Sequence, residues 1–158
     1  MAVRRDYLLQ LAQQVAQMLA AILGHREAGR SAEAGLVAEE ACAQLIGLPL
    51  ATVRGLTPES LAGLLAQNEA QRVGRSVWLA ELLIEDAALN AAAGQAVAAQ
   101  CSQLQAFCLL DDALGELPAA EADTYRPKQA ALARQLTSLR HVPYVQQRLH
   151  AYETRQTR

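Results

Sequence analysis

Apolar residues recur along this chain three and four positions apart rather than two, which is the period of a helix. Leu8, Leu11, Val15, Leu19 and Ile22 form one stripe, widened by Met18 and Leu23, so a first helix is expected from Arg4 to Ala28. Asp6 near its start suits the positive end of the helix dipole. Gly29 adopts positive φ readily and stops that helix. Ser31 is placed to cap a second one, with Glu33 in its first turn. The second helix carries Leu36, Val37, Ala41, Leu45 and Ile46 and ends near Gly47.

"LPLATVRG" reads as a connector. "LTPESLAGLLAQ" opens a short third helix with Thr57 as N-cap and Pro58 at the first helical position. The polar, Gly74-containing "NEAQRVGRS" reads as a loop, with Ser76 as a cap for a fourth helix over Val77–Ala93. That helix points Trp78, Leu79, Leu82, Leu83 and Leu89 inward, and Gly94 breaks it. A fifth has its seam at Val97, Cys101, Leu104 and Cys108, extended by Phe107 and Leu114. After a loop at "GELPAAEADT", a sixth covers Ala122 to Leu139. Pro127 moves its expected start toward Arg126, because proline inside a helix removes a hydrogen bond. Pro143 opens a seventh, with Val145, Leu149 and Tyr152 on one face.

Small residues recur at a second, longer spacing. After Gly29, alanines fall at Ala34 and Ala41; after Gly94, at Ala99 and Ala106. In both places the glycine ends a helix, and the two alanines lie seven apart on one face of the next. Such side chains let two antiparallel helices approach closely while larger neighbours interlock around them.

The expectation is therefore an all-α chain of about seven helices, one domain over 1–158, with a core at 4–117 and further helices over 122–155. The glycine and alanine positions resemble the tetratricopeptide-repeat (TPR) pattern, in which glycine closes the first helix and small residues line the second. The bulky position between the two alanines is Ala38 in one copy and Gln103 in the other, and the glycines lie 65 residues apart, so the array is not a regular tandem one. The segments from Arg5 to Leu48, "LTPESLAGLL" and "WLAELLIEDAALNAAAGQ" resemble a family of small bacterial proteins of uncharacterised function with a TPR-like fold. The resemblance weakens after Leu117. It implies antiparallel hairpins in a right-handed superhelix and a partner-binding role, and it implies no catalytic residue.

Composition agrees with the helical reading. Aromatics are few (one Trp, one Phe, four Tyr), while Ala, Leu and Gln dominate. Lys128 is the one lysine among 14 basic residues, so part of the Ala and Arg richness reflects base composition. A net charge of −2 with interspersed signs offers a basic face for nucleic acid only weakly. Gln10, Gln13, Gln14 and Gln17 interrupt the apolar N-terminal run, which argues against a signal peptide, and similar interruptions argue against a membrane span over Ala87–Leu110. Cys42, Cys101 and Cys108 read as buried thiols of a reducing compartment, so a cytoplasmic location is expected.

Candidate chemistry is sparse. Glu81 and Glu85 share a helix face, with Asp86 adjacent, and paired carboxylates can hold a metal. The histidine that would complete a helical carboxylate site is absent, since position 88 is alanine, and a solvated face explains the pair. Asp111 and Asp112 lie near a helix C-terminus, where negative charge is unfavourable; an exposed pair or an arginine contact accounts for them. His25 suits a helix C-terminus, and His141 and His150 have no zinc spacing. No phosphate loop, dinucleotide fingerprint or nucleophile elbow is present.

The expected role is thus non-enzymatic, without a cofactor: an adaptor holding a protein or peptide in a groove between helix pairs, with no nucleic-acid or membrane partner. Candidate contacts are Arg26 and Arg30 near the first turn, Arg72 and Arg75 in the middle loop, and Trp78. Self-association into a homodimer is one rival, and a helical metal protein or enzyme using Glu81 and Glu85 is the other.

Overall fold

The computed structural model describes residues 2–158, with side chains from Asp6 onward; the side chains of Arg4 and Arg5 lie outside it. Among the described residues the chain is all-α, with eight helices and no strand. They are α1 (Ala2–Glu27), α2 (Ser31–Ile46), α3 (Leu50–Gly55), α4 (Pro58–Ala66), α5 (Arg72–Ala92), α6 (Ala96–Leu114), α7 (Ala119–Leu136) and α8 (Pro143–Gln156). Short 3-10 turns at Glu69–Gln71 and Thr137–Leu139 lead into α5 and out of α7.

The eighth helix, α3, forms where a connector was expected. Leu50 and Val53 are three apart and both buried, and the Leu50 amide donates to Glu39 Oε2 of α2 at 3.2 Å. A carboxylate from another helix thus satisfies one of the free donors at the start of α3. Next to it, Thr57 caps α4 by accepting from the Ser60 amide at 3.1 Å, with Pro58 following it.

Two expected loops are also helical. α5 starts at Arg72, not Val77, so Gly74, Arg75 and Ser76 lie inside it. Ser76 is no cap: it is buried, and its hydroxyl donates to the Arg72 carbonyl one turn back at 2.7 Å. The Trp78 ring lies over Gly74, where a Cβ would meet it at 3.5 Å, so glycine here serves close packing rather than a turn. α7 starts at Ala119 and keeps Pro127 in its interior. Its buried positions, Ala122, Gln129, Leu132 and Leu136, keep helical spacing, but a glutamine and an alanine make that stripe faint in sequence. Ser31 is likewise the first residue of α2 and makes no side-chain cap bond.

The turns at Gly29 and Gly94 are one turn made twice. Gly29 has φ 74° and Gly94 φ 77°. Their amides donate to the Arg26 and Ala91 carbonyls, each at 3.1 Å. The next amides, of Arg30 and Gln95, donate to the His25 and Asn90 carbonyls, each at 2.8 Å. This is the Schellman closure, which satisfies carbonyls at the end of a helix. α1 packs on α2 and α5 packs on α6 most extensively, and α5 also touches α1 and α2.

After each turn the alanines face inward. Ala34, Ala38 and Ala41 are buried on α2, and Ala99 and Ala106 on α6. Leu36 and Val97, expected on the same faces, are instead 73% and 74% exposed. The inward face is set by the small residues that allow close approach, and the larger side chains two positions away fall on the opposite side of the helix. One apolar cluster runs from Leu11 and Val15 of α1 through Leu45, Leu61, Leu79, Leu83 and Leu110 to Leu136 and Leu149. Phe107, the one phenylalanine, is fully buried in it.

Candidate functional site

A cleft with an apolar wall and charged rim lies where α1, α5 and α7 meet. It encloses about 340 Å³ and is lined by Leu19, Ala20 and Leu23 from α1, by Glu81, Ile84 and Glu85 from α5, and by Lys128, Ala131, Leu132 and Gln135 from α7. The α1 stripe positions it: Leu11, Val15 and Ile22 are buried, while Leu19 is only partly covered and Leu23 is 38% exposed. The stripe is wider than its neighbours cover, so its edge becomes the cleft wall.

Ion pairs bracket that wall. Arg26 Nε lies 3.0 Å from Glu85 Oε2, joining α1 to α5. Lys128 Nζ lies 3.1 Å from Glu81 Oε1, joining α7 to α5, and sits 5.5 Å from the Tyr125 ring centroid. Burial, and then the neighbouring Glu81 carboxylate, push the Tyr125 hydroxyl up to about 12, so it stays neutral and a donor. Glu81 and Glu85 therefore each hold their own cation. Among the described residues, no three His, Cys, Asp or Glu side chains gather as a metal site.

The other expected contacts are spread out. Arg30 Nε donates to His25 Nδ1 at 3.1 Å, at the exposed first turn. Arg72 and Arg75 are not in a loop but in the first turn of α5. Arg72 Nη2 donates to Glu116 at 2.6 Å, and Arg75 Nη1 donates to the Leu45 carbonyl at 2.6 Å. They bind the start of α5 to the turn after α6 and to α2. Trp78 is half-buried and lines a separate apolar hollow with Leu8, Leu9, Ala12, Ala70, Gln71 and Gly74, in which Leu9 is 56% exposed.

Asp111 and Asp112 are not a free pair. Asp111 accepts from Gln129 Nε2 at 3.0 Å and pairs with Arg155, and Asp112 lies 3.4 Å from Arg148. The arginines of α8 thus offset the charge that the C-terminal half of α6 would otherwise tolerate poorly.

A buried polar group centred on Asp86 joins α3, α5 and α6, where the carboxylate spacing alone suggested a solvated face. Asp86 of α5 is buried; its Oδ2 lies 2.8 Å from Arg54 Nη1 and accepts from Ser102 Oγ at 2.6 Å. Next to it Gln105 Nε2 donates to the carbonyls of Val53 (3.1 Å) and Leu56 (2.6 Å), closing the end of α3. The available signal was phase. Asp86 falls in step with Leu79, Leu82 and Leu83, on the stripe itself, and Ser102 falls in step with Ala99 and Ala106. A polar residue on an apolar stripe calls for a buried partner.

Burial pushes the Cys42 thiol up to about 12, with the Glu39 and Asp86 carboxylates adding to it. Burial likewise raises Cys108 to about 11, against an opposing pull from Arg148. Both thiols are free and protonated at neutral pH, so neither is a ready nucleophile. Among the described residues no helix is long and apolar enough to cross a membrane. Compared with protein-family models, with curated proteins and with solved structures, the chain finds no match in any of the three.

Proposed function

We propose that this protein is a non-enzymatic interaction module whose cleft between α1, α5 and α7 holds a peptide or protein segment. The observation that carries the reading is the cleft wall, an apolar edge of Leu19, Leu23 and Ile84 bracketed by the Arg26–Glu85 and Lys128–Glu81 pairs. Apolar contact supplies affinity there, and paired charges that can exchange partners supply orientation. Twin Schellman turns and the buried alanines after them support a TPR-like reading, with antiparallel hairpins in a right-handed superhelix like that of the small bacterial family resembled. The free thiols fit a reducing compartment such as the cytoplasm.

The test is differential. A partner cross-linked to the native protein in cell extract is expected to be lost with Leu23→Glu and kept with Leu36→Glu, a change at an exposed leucine outside the cleft. Equal capture by both variants, each with unchanged circular dichroism, sinks the cleft.

The hollow at Trp78 favours a second reading, self-association, because Leu9 in its apolar lining is 56% exposed. Sedimentation of the native protein is expected to show dimers at high concentration that Leu9→Glu abolishes; a monomer at every concentration rejects it.

A further inference from the structure

α8 sits in the molecule the way a bound helix sits in a groove. Of its 14 residues only Val145 and Leu149 are buried, and Tyr152 meets Phe107 edge-on, ring centroids 5.4 Å apart at 80°. These three residues are spaced i, i+4 and i+7, the anchor pattern of an amphipathic helix laid into an apolar groove. Around them the ties are polar. Tyr144 donates to Glu59 of α4 at 2.8 Å, Arg148 lies 3.4 Å from Asp112, and Arg155 pairs with Asp111. The seat is therefore an apolar floor ringed by three carboxylates, Glu59, Asp111 and Asp112.

α8 fills that seat imperfectly. Arg148 Nε is buried without a hydrogen-bond partner among the described residues, a donor separated from water with nothing in return. Each ion pair has one open side: Arg155 is 54% exposed against 10% for Asp111, and Asp112 is 50% exposed against 25% for Arg148, so salt reaches one partner of each. A helix secured by two aliphatic side chains, one aromatic edge and ion pairs open to solvent on one side belongs to the less stable end of a structure, the part that opens locally.

We propose that α8 is a displaceable internal ligand, and that its seat on α4 and α6 receives a basic amphipathic helix from a partner protein. The partner helix carries aliphatic residues at i and i+4 and an aromatic at i+7. It carries basic residues at i+3 and i+10, the positions of Arg148 and Arg155 relative to Val145. The three carboxylates of the seat select for that charge. Because α8 competes for the same place, the apparent affinity of any incoming helix is reduced by the fraction of time the seat is open. This seat is distinct from the α1–α5–α7 cleft, and the cross-linking comparison at Leu23 is unaffected by whether it opens.

The test uses the full chain and a labelled synthetic peptide of residues 143–158. In the native protein, amides of α8 are expected to exchange hydrogen well before those of α5 and α6. Leu149→Ala loosens α8 and leaves the seat intact, so the peptide is expected to bind that variant more than about tenfold tighter than it binds the native protein. A peptide with alanine in place of Tyr152 loses that gain. Should Leu149→Ala lose its helical circular dichroism, the double variant Arg148→Ala, Arg155→Ala replaces it, with the same gain expected. Exchange of α8 together with α5 and α6, or equal peptide binding by the native and loosened proteins, overturns the proposal.

Discussion

The guanidinium of Arg54 reaches across from α3 to lie 2.8 Å from the carboxylate of Asp86 on α5, which is only 7% exposed. Ser102 of α6 donates to the same oxygen. One carboxylate therefore fixes three helices, one of which, α3, is six residues long and too short to hold its shape unaided. Removing the acid leaves a half-buried cation and a buried hydroxyl without their acceptor. Asp86→Ala is expected to lower unfolding free energy by about 3–5 kcal/mol in urea titration, and Ser102→Ala by about 2 kcal/mol. A loss under 1 kcal/mol for Asp86→Ala would show that water replaces the carboxylate.

The paired turns give a test in which space and backbone separate. A Cβ added at Gly29 or Gly94 meets nothing within 4 Å, so an alanine there fits but must hold φ near +75°. Each replacement is expected to cost about 1–2 kcal/mol, all of it conformational. Gly63, exposed within α4, also has open space but ordinary helical φ, and Gly63→Ala is expected to gain about 0.5–1 kcal/mol. The same substitution with opposite signs, read by thermal melts, checks the turn geometry directly. Loss at all three positions would point to crowding instead.

How much of this was legible beforehand follows from what each residue advertises. Strong stripes announced α1 and the later part of α5, and proline after threonine announced α4, since these signals are local. The start of α5 was hidden because its arginines are held by Glu116, by Gln71 and by the Leu45 carbonyl. Those partners lie on other elements or in the turn before it, and no periodicity reports them. The start of α7 is masked by Pro127, whose penalty is real but falls on an exposed face. The cleft was out of reach for a further reason. Glu81 and Glu85 could be placed on a helix, but that each would meet a cation from a different helix depends on how α1 and α7 dock on α5.

The buried thiols set an alkaline limit. An acid whose folded pKa lies above its unfolded value binds more protons folded than unfolded between the two, so stability falls as pH rises through that interval. For Cys42 the interval runs from about 9 to about 12, and for Cys108 from about 9 to about 11. Each thiol is expected to remove up to about 1.4 kcal/mol per pH unit there, and Cys42→Ala should flatten the decline even as it costs some packing at pH 7. At pH 8 a thiol reagent is expected to label Cys101, which is partly exposed, long before the other two. A pH-independent midpoint between 9 and 11 would contradict the burial of both groups.

Pro127 offers the opposite kind of change. It lacks the amide that would bond the Asp123 carbonyl one turn earlier, and its ring is on the exposed side of α7, so the helix carries the deficit with no compensating contact from the ring. Alanine restores the donor at a position with helical neighbours on both sides. It also frees the unfolded chain somewhat, which returns about 0.4–1 kcal/mol of the gain. The net expectation for Pro127→Ala is a stabilisation of about 1–2 kcal/mol in urea, at unchanged dependence on denaturant. A loss instead would mean that the proline shapes α7 so that Gln129 reaches Asp111 and Leu132 reaches the core, which would move Pro127 from a tolerated defect to a determinant of the fold.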